Sequence, residues 1–112
     1  MQFWQPIVQT EAVENIWQWS MEKPQLIFKH STRCGISVQA QERLLAGTDI
    51  LHPVFGLHYI DLLQYRPVSQ YITDKSGVLH QSPQILLVSR GKVTYSSSHQ
   101  AISPEKIKAQ HS

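Results

Sequence analysis

One cysteine in 112 residues is the scarcest chemistry in this chain. With Cys34 alone there can be no internal disulfide framework, no CxxC redox pair and no Cys-rich zinc site. What remains is a buried inert thiol, or a reactive thiol that works with a partner outside the chain. Charge is sparse as well. Charged residues make up 16% of the sequence and apolar residues 41%, which argues against a self-repelling disordered chain and for a packed core. Neither sign dominates: Lys+Arg number 10 and Asp+Glu 8, and the basic residues do not cluster, so there is no nucleic-acid footprint. The opening Met1-Gln2-Phe3-Trp4-Gln5-Pro6 lacks the basic-then-apolar pattern of a signal peptide, and no run approaches the roughly 18 apolar residues of a membrane span. The expectation is a cytoplasmic protein, with no membrane or nucleic-acid partner, in a compartment that keeps thiols reduced. Nothing divides the chain by repeat, low complexity or linker composition, and residues 1–112 are expected to form a single domain.

Hydrophobic periodicity predicts the element order α-β-α-β-α-β-β-α. Thr10 caps a first helix running through about Met21, with Ala12, Val13, Ile16 and Trp17 as its apolar stripe and Pro24 beyond its end. Leu26-Ile27-Phe28 reads as a buried strand that continues into Lys29-His30. Ser31-Thr32-Arg33 is a polar loop. A second helix runs from Cys34 to about Ala46, with Ile36, Ala40 and Leu44 in one stripe, Val38 and Leu45 suggesting cover on another side, and Gly47 as its stop. Leu57 to Leu62 is a second strand. Pro67 opens a third helix that ends at Ser76 before Gly77. Ile85-Leu86-Leu87-Val88 is a third strand, and Arg90-Gly91-Lys92 turns it into an alternating edge strand at Val93-Thr94-Tyr95. Ser103 and Pro104 start a last helix. Strands joined by helices read as parallel, and the closing hairpin adds an antiparallel edge. The expected class is α/β, a thioredoxin-like fold with a mixed central sheet and helices on both faces.

The chemistry concentrates at Cys34, predicted at the first turn of a helix that follows a buried strand. Unpaired amides and the positive end of the helix dipole stabilise a thiolate there, and helix N-termini lower a cysteine pKa from about 8.5 to roughly 3.5–7.5. Lys29 and Arg33 add positive potential nearby. Ser37 stands three residues on, where a dithiol enzyme has its resolving cysteine. It cannot form a disulfide, but it can hydrogen-bond the sulfur or serve as an ordinary first-turn residue. Any disulfide on Cys34 must therefore be made to another molecule and removed by a second external thiol. Pro83 precedes the third strand, and in a thioredoxin fold its bond to Ser82 would be cis, leaving the Ser82 backbone free to pair with an incoming substrate. The six histidines show no ligand spacing, although His80 and His99 can approach the thiol end. No metal site is expected. Trp4, Trp17 and Trp19 read as core or amphipathic packing. Asp61 to Pro67 lies at a strand end, the place in such sheets that often borders a cleft.

Lys29-His30-Ser31-Thr32-Arg33-Cys34-Gly35-Ile36-Ser37 resembles the active-site segment of the YtxJ-like monothiol bacilliredoxin family, usually lysine-histidine-serine-threonine-x-cysteine-proline-isoleucine-serine. Three further blocks are similar: Asp61-Leu62-Leu63 with Tyr65-Arg66-Pro67-Val68-Ser69, His80-Gln81-Ser82-Pro83-Gln84, and Ser98-His99 with Ile102-Ser103. The resemblance implies a thiol-disulfide oxidoreductase of the bacillithiol system, which removes bacillithiol from protein mixed disulfides. Cys34 would be its nucleophile and Pro83 its cis-proline. Thr32, Arg33, Gly35, Ser37, Ser82, Pro83 and His99 would contribute to substrate binding. Bacillithiol would be a co-substrate with no cofactor bound, and bacillithiolated client proteins the partners. Gly35 departs from the family's usual proline, which bears on the thiol's reactivity and substrate. The same glycine brings Cys34-Gly35-Ile36-Ser37 within one residue of the cysteine-glycine-phenylalanine-serine motif of monothiol glutaredoxins, which carry a [2Fe–2S] cluster between protomers with glutathione as the other ligand. Those proteins have a glycine pair where this chain has Arg90-Gly91-Lys92. A cluster carrier and a binding module with an inert thiol are the alternatives.

Overall fold

The computed structural model describes residues 2–111; Met1 and Ser112 lie outside the described residues. The elements in chain order are β1 (Gln5–Pro6), α1 (Thr10–Trp19), β2 (Gln25–His30), α2 (Gly35–Ala46), α3 (Thr48–Leu51), β3 (Gly56–Asp61), α4 (Arg66–Ser76), β4 (Gln84–Ser89), β5 (Lys92–Ser98), a 3₁₀ turn at His99–Ala101, and α5 (Pro104–Lys108). The sheet runs β1-β3-β2-β4-β5. β1 and β2 lie parallel to β3, while β4 is antiparallel to both β2 and β5. This is the expected α/β architecture.

Every residue of β2 is buried, and so is β4 up to Val88. Strands covered on both faces need continuous apolar sequence, which is why these two read as unbroken runs. Leu26 and Phe28 point into one core with Ala40 and Leu44 of α2, Leu51, Phe55, Ile102 and Ile107. Ile27 points the other way, into a second core with Val13 and Ile16 of α1 and Val68 and Ile72 of α4. Lys75 pairs with Glu14 at 2.9 Å and ties those two helices together on the outside. β5 alternates between exposed and half-buried residues, as an edge strand should.

Several expectations need correction. The first helix stops at Trp19, and Gln9 rather than Thr10 is its cap residue. β1 and α3 were not expected. β1 is two exposed residues held by pairing to His58 and Tyr59, and α3 is a single turn, so neither has room for a periodic signal. Trp4 links them by packing in the core and donating Nε1–H to Thr48 Oγ1 at 3.0 Å. β4 is not parallel to its helix-connected predecessor. After α4, residues 78–83 return beside that helix to the end where β2 finishes, so β4 starts opposite Lys29 and runs back down. On α2 the buried stripe is Ser37, Ala40 and Leu44, whereas Ile36, Val38 and Leu45 are exposed.

Gly47 closes α2, but its φ of −101° is not left-handed. Its role is a close approach: a Cβ there would collide with the Pro104 ring, in the first turn of α5. Gly47→Ala is expected to cost about 1–3 kcal/mol through overpacking against that rigid ring, and urea denaturation measures it. An unchanged midpoint would show that α5 shifts freely.

His58 of β3 is buried, with Nε2 2.7 Å from Gln25 Oε1, while Gln25 Nε2 donates to Lys23 O. A neutral ring donating Nε2–H completes this chain. Burial lowers the His58 pKa from 6.5 to about 4. The unfolded chain therefore takes up this proton first, and stability falls as pH drops from 6.5 towards 4. The expected loss from this residue is about 3 kcal/mol across that window. His58→Asn should be less stable at pH 7 and show a shallower acid slope in denaturation curves. An equal slope in both proteins would assign the acid sensitivity elsewhere.

Candidate active site

β2 delivers its last buried residue, His30, to the end of the sheet, and the polar Ser31-Thr32-Arg33 turns the chain into α2. Cys34 N–H donates to Ser31 O at 3.2 Å, closing that turn, and Cys34 O accepts the first helical bond from Val38 at 3.0 Å. Cys34 is thus the N-cap residue of α2, extended at φ −110° and ψ 120°, half-buried, and free of disulfide. The cap is where serine or aspartate usually accepts an orphan amide of the first turn. Here no side chain fills that role, and no acid lies in the first turn. A neutral thiol is a weak acceptor, whereas a thiolate can take those amides and the helix dipole in full.

Ser37 is fully buried beneath this turn. Its Oγ accepts Ser31 N–H at 3.0 Å and lies 2.6 Å from His30 Nδ1. The arrangement that uses every group has the Ser37 hydroxyl donating to a neutral His30 ring. Burial favours that neutral form by lowering the His30 pKa, against the opposing pull of Asp61. Ser37 therefore holds the loop from inside, its hydroxyl engaged by His30 and Ser31.

Ser82-Pro83 is cis, and Pro83 is buried. Since Gln84 pairs with Lys29, Ser82 and Pro83 come level with His30 and Ser31 at the thiol end. Ser82 and Ser31 border the same cleft, together with Arg66, Ser69, Thr73 and His80. Thr32 and Arg33 are exposed and line an adjoining groove with Asp61 and Arg66. Gly35 is exposed, and a Cβ built on it meets nothing within 4 Å. His99 closes the other side: its backbone N–H donates to Pro83 O at 3.1 Å.

Some residues with a part in this site were not singled out beforehand. Arg43 of α2 donates Nη2 to His99 O at 2.9 Å and Nε to Ile102 O at 3.0 Å, fixing the 3₁₀ turn against the helix. Buried Gln84 holds the return segment through Leu79 O and Gln81 N. His30, the last residue of β2, holds Ser37 through Nδ1. Lys29 is fully buried in β2, and burial lowers its pKa from 10.5 to about 8. A lysine and a histidine directly after three apolar strand residues were the available signal, because β2 continues through them. Among the described residues no group of three or more His, Cys, Asp or Glu side chains is placed to hold a metal ion, and no helix is long and apolar enough to cross a membrane.

Ser37→Ala is expected to leave His30 Nδ1 and Ser31 N–H buried without a partner, at a cost of about 1–3 kcal/mol. Faster hydrogen exchange at the loop amides should accompany the lost stability. A neutral substitution with unchanged exchange would show that the clamp is dispensable.

Comparison with known proteins gives a consistent picture. The family model for monothiol bacilliredoxin BrxC matches residues 5–107. A solved structure described only as a candidate oxidoreductase with a thioredoxin fold is 25% identical, covers 98% of this chain and 96% of its own, and superposes with a TM-score of 0.80. Thioredoxin from Malassezia sympodialis is 14% identical over 96% of this chain and 86% of its own, with a TM-score of 0.70. Fasciola hepatica thioredoxin is 12% identical over 95% and 94%, with a TM-score of 0.69. The last two share the fold.

Proposed function

This chain belongs to the monothiol bacilliredoxin family, and from that premise we propose that it removes bacillithiol from protein mixed disulfides through Cys34. Family and fold give it a thiol redox role; the choice of bacillithiol and the duty of Cys34 are the proposal. The observation that carries it is the single cysteine at the uncapped start of α2, with the resolving position held by a buried serine.

The Cys34 thiolate attacks the bacillithiol sulfur of the mixed disulfide. The client–sulfur bond breaks, the client leaves as a thiolate that takes up a proton, and Cys34 now carries bacillithiol as a disulfide. A second bacillithiol thiolate attacks that sulfur, releasing bacillithiol disulfide and restoring the Cys34 thiolate. Each step exchanges one S–S bond for another, so electrons balance without an added cofactor. Ser37 cannot intercept the intermediate, because it has no thiol and its hydroxyl is engaged by His30 and Ser31. Ser82, beside Pro83, offers backbone groups that an extended substrate segment can pair with. Thr32, Arg33, Gly35 and His99 frame the opening.

The test is a mass shift. Reduced protein incubated with bacillithiol disulfide is expected to gain one bacillithiol at Cys34, faster than it gains glutathione from glutathione disulfide. Cys34→Ser should abolish release of bacillithiol from a modified client. No adduct with either disulfide, or full activity in Cys34→Ser, would overturn the proposal.

A further inference from the structure

Beside the thiol loop lies a cleft of about 400 Å³, a volume that suits part of a small molecule. Ser31 and Ser82 form one wall, Arg66, Ser69 and Thr73 of α4 form the other, and His80 stands at the return segment. No Asp or Glu lines it. Its lining is chemically incomplete in three places. Ser82 Oγ is buried without a hydrogen-bond partner. Lys29 is fully buried behind Thr73, and its ammonium makes one long hydrogen bond, to Thr73 Oγ1 at 3.5 Å. No carboxylate pairs with Lys29 or Arg66 among the described residues. Buried cations normally have a counter-ion, because desolvation otherwise goes uncompensated. Lys29 charge reaches the cleft, where it joins burial in holding His80 below its usual pKa.

We propose that this cleft receives a carboxylate on the arm of the small thiol exchanged at Cys34, bound by Arg66, with Lys29 supplying the counter-charge behind Thr73. The inference rests on the small-thiol exchange proposed above. A cleft of this size fits one group of a small molecule better than the broad face of a client protein. It also borders both segments that flank the reacting sulfur, so a thiol bonded to Cys34 can lay its arm there.

Two measurements test it. The first compares wild type with Arg66→Gln in the rate of Cys34 modification by bacillithiol disulfide, which carries carboxylates, and by the neutral hydroxyethyl disulfide. The preference for the anionic disulfide is expected to fall about 10-fold, the scale of one charge-assisted hydrogen bond, and to weaken with salt in the wild type. An unchanged ratio overturns the proposal. So does a variant impaired only on a bacillithiolated client protein, which would assign the cleft to the client. The second uses Cys34→Ser protein, which needs no exchange chemistry. Reduced bacillithiol is expected to shift the amide resonances of Ser69, Thr73, His80 and Ser82, and 2-mercaptoethanol is not. Shifts without any Cys34 adduct in wild type would sink the exchange reaction and keep the cleft; adduct formation without shifts would do the reverse.

Discussion

The hydrogen bond between His30 and Ser37 decides where the cysteine stands. His30 is the last residue of β2, and Ser37 lies in the first turn of α2. Joining them at 2.6 Å, with Ser31 N–H on the same hydroxyl, folds residues 31–36 into a short arch over a buried polar knot. That knot turns Ser37 inward, which rotates Ile36 out to solvent and leaves Cys34 as the cap. A buried polar cluster is worth having only when each member is satisfied. Here Ser31 N–H, the Ser37 hydroxyl and His30 Nδ1 satisfy one another with the ring neutral, the form that burial favours.

The same knot removes any internal route to a second sulfur chemistry. In a dithiol enzyme the residue three after the nucleophile must face it. Here that residue faces the core and holds up the loop, so the half of the exchange cycle that regenerates the thiol has to come from outside. Opposite the arch, Arg43 and Gln84 do comparable work: one pins the His99 turn to α2, the other pins the return segment ahead of Pro83. The thiol end is thus assembled from three loops, each fastened by a side chain that reaches across from regular structure.

Strong local signals were legible in the chain. Cys34 at the helix start, Pro67 and Gly77 bounding α4, and Ser103 capping α5 by accepting from Lys106 N–H all depend on neighbours within a few residues. The resemblance supplied the cis bond at Pro83, which spacing alone does not. What was hidden depends on distant partners. β1 exists because Ile7 and its neighbours meet Tyr59, and Gly47 is needed because Pro104 arrives from the other end of the chain. The direction of β4 follows from the path of residues 78–83, which carry no periodic pattern. Ser37 displaced Ile36 from the buried stripe because a hydrogen bond to His30 outweighed the side chain's apolar area, a contest that hydropathy does not see.

Gly35, the one departure from the family's usual segment, can be weighed in these terms. Beyond its chain neighbours and its own helix backbone, nothing lies within 4 Å of where its Cβ would be, so packing does not require glycine. Proline at the first helical position would fix φ and stiffen the turn, yet it carries no N–H. Glycine gives up that rigidity and retains an amide next to the sulfur. Since Cys34 caps a helix whose first turn no other side chain caps, the extra amide is another donor that only a charged sulfur can use well. The substitution therefore exchanges backbone order for hydrogen-bonding capacity at the reacting atom, and it does so where no neighbouring atom has to move.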